Sequence, residues 1–146
     1  MKPHRRVFVL GGFSTPFIGK GHPDFVWKGH ADFGKRENPS LEGHLTAAIL
    51  GALAGTGVSA DQIERGFVGN FAGETFSSQG HLGAMAVRAD PGLARKPWVR
   101  LEAACASGGI AVAAAVDSLQ AGYDVAMAVG AEVQTTVSPR EGADLL

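Results

Sequence analysis

The sequence is short of several things at once. It has one cysteine, Cys105, in 146 residues. No internal disulfide can form, so the fold has to rest on its apolar core, and a lone thiol fits a reducing compartment such as the cytoplasm. There is no run of Lys and Arg and no basic stripe, and the formal net charge is −1. That balance argues against a nucleic-acid partner. No apolar stretch reaches a membrane-spanning length before Gly or a charge breaks it. The opening Met-Lys-Pro-His-Arg-Arg, followed by Val7 to Leu10, has the outline of a signal peptide. Its apolar part is too short, however, and Gly11, Gly12 and Pro16 follow with no small-x-small cleavage pattern. A first strand is the better reading. No internal repeat of fixed period stands out. Gly11-Gly12 with Gly19 and Gly21 lacks the G-x-G-x-x-G spacing, and Pro16 interrupts any immediate helix, which argues against a nucleotide-binding loop of that kind.

What is present reads as globular. Apolar residues make up 45% of the chain and charged residues 18%, a balance able to bury one domain-sized core. Val7 to Leu10 is a short apolar run ending in Gly-Gly, as a buried strand would be. Residues 14 to 39 show no period and hold Pro16, Pro23, Pro39 and the aromatics Phe17, Phe25, Trp27 and Phe33. They read as a long loop anchored by aromatics, and such loops are usually functional. Ser40 is placed as an N-cap. Leu41, Leu45, Ala48, Ile49, Ala52 and Leu53 then share one helix face, up to the glycines at 55 and 57. Ser59 and Gln62 match a capping box. Phe67 to Gly69 predicts a second strand, Ser78 to Arg88 a helix, and Val99 to Glu102 a third strand. Cys105 to Ala121 predicts a helix that is apolar almost all round and therefore buried, with Gly122 just past its end. Val125 to Ala131 predicts a central strand covered on both faces. Alternation of strand and helix points to an α/β layered fold with a mostly parallel sheet.

Cys105 stands in Glu102-Ala103-Ala104-Cys105-Ala106-Ser107-Gly108-Gly109, between a strand and a helix. Unpaired N–H groups at a helix start favour a thiolate and can hold a developing oxyanion. The small residues around it let a flat carbonyl approach the backbone. A lone cysteine among apolar neighbours also fits a small core residue, and composition and spacing leave both readings open.

The segment Glu-Ala-Ala-Cys-Ala-Ser-Gly resembles the nucleophile segment of the thiolase superfamily, and is most similar to that of the sterol-carrier-protein-type thiolases. Gly12 to Phe17, Gly57 to Asn70, Phe71 to Gly83 and Val129 to Glu132 resemble further family segments in order, with residues 18 to 39 the least matched. The resemblance implies the N-terminal half of a thiolase-type acyltransferase, incomplete relative to a full thiolase, spanning 1–146. Cys105 would be the acylated catalytic residue, its backbone N–H part of an oxyanion hole. A CoA thioester would be the substrate, with no permanently bound cofactor and no metal. A dimer, a dimer of dimers, or a companion chain carrying the C-terminal half is implied, the third strand meeting its partner across a two-fold axis.

The family's activating His and second acid/base Cys belong to its C-terminal half, and this sequence has no second Cys and no Gly-His-Pro segment. Of His4, His22, His30, His44 and His81, none is assigned a catalytic role, and no residue is assigned to cofactor binding. Glu74 and Glu132, the carboxylates nearest glycine-rich segments, read as loop residues. Two rivals remain: a ketosynthase-like condensing enzyme, and a non-catalytic thiolase-like subunit. A companion half bearing a second Cys favours thiolase, and one bearing paired His, or His and Asn, favours the condensing enzyme. An organelle address beyond Leu146 is compatible with either.

Overall fold

The computed structural model describes residues 5–146, so His4 lies outside the described residues. Among them the elements run α1 (Leu41–Thr56), β1 (Arg65–Gly69), α2 (Gly73–Ser77), α3 (Leu82–Ala86), β2 (Trp98–Leu101), α4 (Ser107–Gln120), β3 (Ala126–Gly130) and α5 (Pro139–Leu145). The three strands form one parallel sheet in the order β2-β1-β3. The fold is thus α/β with a parallel sheet, as the alternation of patterns anticipates.

The two faces of β1 divide the core. Val68 faces α1 and α3, in a cluster with Leu41, Leu45, Ile49, Leu53, Leu82 and Val129. Phe67, one residue earlier and therefore on the other face, packs on Ala111 and Ala115 of α4. The four aliphatic residues of α1 recur every fourth position, and each is worth about 1.5–3 kcal/mol when fully buried. Ser40 caps that helix by accepting from the Gly43 N–H at 3.0 Å, and Gly57 ends it in a left-handed conformation. The short 3-10 turn at Ala60–Gln62 carries the capping box between Ser59 and Gln62. Gly66 sits under the Trp98 indole, where a Cβ would fall 2.2 Å from the ring.

Four expectations need correction. Val7 to Leu10 is not a strand: Phe8, Val9 and Leu10 are 71%, 89% and 69% exposed. The segment is held at one end by Arg5, which exchanges hydrogen bonds with the Gln120 amide and pairs with Asp124. At the other end Phe13 lies over Gly51. Between these anchors it faces β3 across a slot of about 380 Å3. Residues with strand propensity become a strand only with a ladder partner, and here none is in reach. β3, read as central, consequently has a free outer edge. The helix expected over 78–88 is confined to α3 at Leu82–Ala86, and a second five-residue helix, α2, forms ahead of it at Gly73–Ser77. Ser78 takes a left-handed conformation (φ 49°) between them, and a non-glycine residue there interrupts helical backbone. The helix expected to be buried all round and to bear the nucleophile is α4, and it is not buried all round. Ser107, Ala111, Ala115 and Ser118 of α4 are buried, whereas Ile110, Val112 and Val116 are exposed. Its apolar circumference records what it can pack against, and only the sheet covers it here. Finally, α5 has a Ser138–Glu141 capping box that the sequence reading passed over. No described helix is long and apolar enough to cross a membrane.

The free edge of β3 has a local signature. The Ala131 N–H donates to the Gly69 carbonyl and the Val125 carbonyl accepts from Glu64. Odd-numbered residues of β3 therefore face β1, and Ala126 and Ala128 turn their N–H groups to the slot. Amide exchange followed by NMR should be fast at Ala126 and Ala128 and slow at Met127 and Val129; uniform protection would show that residues 7–10 close the slot by direct pairing.

Candidate active site

The chain leaves β2 at Leu101 and must reverse before α4 can return along the sheet. Ala104 makes that reversal in a left-handed conformation (φ 47°), and a 3-10 turn over Ala104–Ala106 follows. For an alanine that backbone costs about 1–2 kcal/mol. The turn is held by Ser107, itself buried, whose hydroxyl accepts from the Ala103 N–H at 2.9 Å and donates to the Ala104 carbonyl at 2.7 Å. The Glu102 carboxylate accepts from the Ala104 N–H. Cys105 rides on the outside of this turn, with its thiol exposed. It lies two residues before α4 rather than inside it as the sequence pattern implies, because the tight turn takes up residues 104–106. The turn's hydrogen bonds leave the Cys105 N–H unused.

Close contact between α4 and β1 fixes where the turn sits. A Cβ on Gly69 would lie 2.6 Å from the Ser107 carbonyl oxygen and 2.8 Å from the Gly108 Cα. Only glycine lets the start of α4 rest on the end of β1 at that separation. The carboxyl ends of all three parallel strands then open on one pocket of about 530 Å3, which contains Cys105, Asn70, Phe71, Glu132 and His44. In open parallel sheets, ligands bind at this end.

Asn70 and Glu132 build the pocket wall. Asn70, 1% exposed, donates from Nδ2 to the Ala131 carbonyl at 2.8 Å and accepts at Oδ1 from the Gly73 N–H at 3.0 Å. Glu132 Oε2 accepts from the Phe71 and Ala72 N–H groups at 2.8 and 3.2 Å. The loops after β1 and β3 are thereby tied together by buried or charge-assisted hydrogen bonds. Glu74, by contrast, pairs with Arg100 at 3.4 Å and does not line the pocket. Of the described histidines only His44 lines it, reaching in from α1. His81 instead caps α3, its Nδ1 accepting from the Ala84 N–H. Asn70 escaped the sequence reading as a site residue; its position directly after an apolar strand and three residues before a glycine was the available signal. No cluster of three or more metal-ligating side chains occurs among the described residues.

Comparison with known proteins agrees with this arrangement. Residues 31–145 match the family described as "Thiolase, N-terminal domain". The chain belongs to that family. It is 35% identical over 106 residues to an acetyl-CoA acetyltransferase of Methanothermobacter thermautotrophicus, and 32% identical over 106 residues to one of Methanocaldococcus jannaschii. Each alignment covers 72% of this chain but only 27% of the relative.

Two substitutions test the geometry. Gly69→Ala should destabilise the thiolase N-terminal domain by about 1–3 kcal/mol in urea unfolding, because neither backbone can retreat. Ser107→Ala should cost about 1–2 kcal/mol through the two lost hydrogen bonds, and should change the rate at which iodoacetamide alkylates Cys105. Unchanged alkylation would show that Ser107 does not set the thiol's presentation.

Proposed function

We propose that residues 1–146 form the nucleophile-bearing N-terminal half of a thiolase-type acyltransferase, in which Cys105 carries the acyl group. One observation carries this reading: the chain's single thiol stands exposed on a serine-braced turn, in a pocket at the carboxyl end of a parallel sheet. The chemistry is acyl transfer from a CoA thioester. The Cys105 thiolate attacks the thioester carbonyl, and the oxyanion that develops is met by the unused Cys105 N–H. Collapse forms the Cys105 thioester and expels CoA as thiolate, which takes up a proton. In the degradative direction the bond broken is instead the carbon–carbon bond of a 3-ketoacyl-CoA, and the leaving acetyl-CoA carbanion is protonated. A second thiol or carbon nucleophile then takes the acyl group from sulfur. Covalent catalysis of this kind divides one difficult transfer into two easier ones.

The relatives' names support the reaction class, and their greater length supports a further half that supplies the base and the acid. The exposed apolar face of α4, with Ile110, Val112 and Val116, is suited to pack against such a companion. The outer edge of β2, where Val99 is exposed, is suited to pair with a second copy. A single free thiol suits the cytoplasm.

Intact mass spectrometry after incubation with acetoacetyl-CoA tests the assignment. With the companion half present, the wild-type chain should gain one acetyl group, and Cys105→Ser should gain none. Acetylation that persists in the serine variant would overturn Cys105 as the nucleophile.

A further inference from the structure

The end of the central strand supplies an aromatic side chain to the Cys105 pocket. Phe71 stands two residues beyond Gly69 and lines the cavity together with Cys105, Ser107 and Gly108. The pleat decides where its ring goes. Phe67 packs on Ala111 and Ala115 of α4, and a Cβ on Gly69 would meet the Ser107 carbonyl and the Gly108 Cα. Val68 packs on the other side with Leu82. Asn70 follows it there, its Oδ1 accepting from the Gly73 N–H. The Asn70 N–H still donates to the Leu101 carbonyl at 3.1 Å, so the ladder continues past the last residue of β1. Side chains alternate along such a chain. Phe71 therefore shares a side of the sheet with the start of α4 and the turn that carries Cys105. Its ring is 36% exposed, so part of it is packed and part faces the cavity.

The Phe71 backbone is held from both neighbouring strands. β1 lies between β2 and β3. From β2, Arg100 Nη2 donates to the Phe71 carbonyl at 2.8 Å. From the loop after β3, Glu132 Oε2 accepts from the Phe71 N–H at 2.8 Å and from the Ala72 N–H at 3.2 Å. Glu74 pairs with Arg100 Nη1 at 3.4 Å, and the Arg100 side chain is 19% exposed. Each of these bonds has a charged partner, and such bonds are about twice as strong as neutral ones. A backbone fixed in this way leaves the ring only its own rotamers. An aromatic on a loose loop swings aside with its backbone when a larger group arrives. An anchored one stays, and crowding against it is unfavourable.

We propose that Phe71 is a specificity-determining residue, a role that rests on the acyl-transfer reading: its anchored ring limits the size of the acyl group that the Cys105 thioester carries. Arg100 and Glu132 act through the backbone as positioning residues for that ring.

The test compares two substrates on one protein, with the companion half present. Acetoacetyl-CoA leaves an acetyl group on Cys105 and 3-oxodecanoyl-CoA leaves an octanoyl group. In both, the sulfur bonds to C3, the C2–C3 bond breaks, and acetyl-CoA departs after taking a proton. Intact mass resolves the two adducts and follows their rates. The ratio of octanoyl to acetyl transfer should rise about tenfold or more in Phe71→Ala, and by a smaller factor in Phe71→Leu. Arg100→Met and Glu132→Ala should raise it in the same direction. Glu132→Gln, whose amide oxygen can accept the same N–H bonds, should keep the wild-type ratio. A substitution that merely loosens the fold lowers both rates together and leaves the ratio alone. A ratio within about twofold of wild type in both Phe71 variants overturns the proposal. A ratio that moves there but in neither Arg100→Met nor Glu132→Ala overturns the positioning roles. A second readout does not depend on acyl transfer. On the chain itself, the rate at which N-cyclohexylmaleimide modifies Cys105, relative to N-ethylmaleimide, should also rise in Phe71→Ala. A wild-type protein that neither ketoacyl-CoA acylates loses the acyl-transfer reading, and the maleimide ratio then decides whether the ring bounds the pocket; an unchanged ratio overturns that too. Matching circular dichroism verifies that the variants fold.

Discussion

Everything at the site depends on how closely α4 approaches β1. The absence of a side chain on Gly69 lets the Ser107 carbonyl and the Gly108 Cα press onto the strand end. That contact sets the height of the turn before α4, and the turn sets the position of Cys105. The left-handed Ala104 is tolerated because Ser107 ties both sides of it with one hydroxyl. A strained residue of this kind persists only where its surroundings over-determine it, and such places cluster at functional sites. The cysteine is thus presented by packing and hydrogen bonding together, with the serine acting through the backbone rather than on the thiol.

The distribution of apolar surface is uneven in an informative way. One side of the sheet is closed, with α1 and α3 covering Val68 and Val129. The other side is closed only by the inward face of α4, which leaves Ile110, Val112 and Val116 outside. β3 carries no charge along its length, and charges are the usual means of protecting a free edge. The facing residues 7–10 are apolar and exposed. This side of the layer leaves its apolar surface bare.

Polar groups show the complementary pattern. The buried hydrogen-bonding capacity of Asn70 and the carboxylate of Glu132 are both used to join the loops at the carboxyl ends of β1 and β3. That cross-tie defines the pocket wall opposite the Cys105 turn. The loop before α1 reaches the same pocket through Asn38. Rigid strands, tied loops and the ends of the loop before α1 line one cavity, at the end of a parallel α/β layer where ligands bind.

Much of this was legible from residue order alone, because it depends on local rules. The four-residue spacing of Leu41, Leu45, Ile49 and Leu53, the Ser40 cap and the Ser59–Gln62 box act within a few residues and appear in the structure as the sequence implies. The strand at 67–69, which extends back to Arg65 in the structure, the strand–turn–helix setting of Cys105 and the family resemblance were readable for the same reason. Val7 to Leu10 was misread because strand propensity states a capacity, whereas a ladder partner is a non-local fact. The helix expected over 78–88 starts only at Leu82, because Ser78 is left-handed and ends α2, and His81 caps the helix that follows. The sequence by itself determined most of the helices and strands, their order and the strand–turn–helix setting of Cys105, since propensity, capping and spacing are short-range. Only the tertiary structure decided which faces are covered, which edges stay open, and that Asn70, Glu132, His44 and Cys105 share one pocket. Those outcomes come from contacts between residues far apart in the chain.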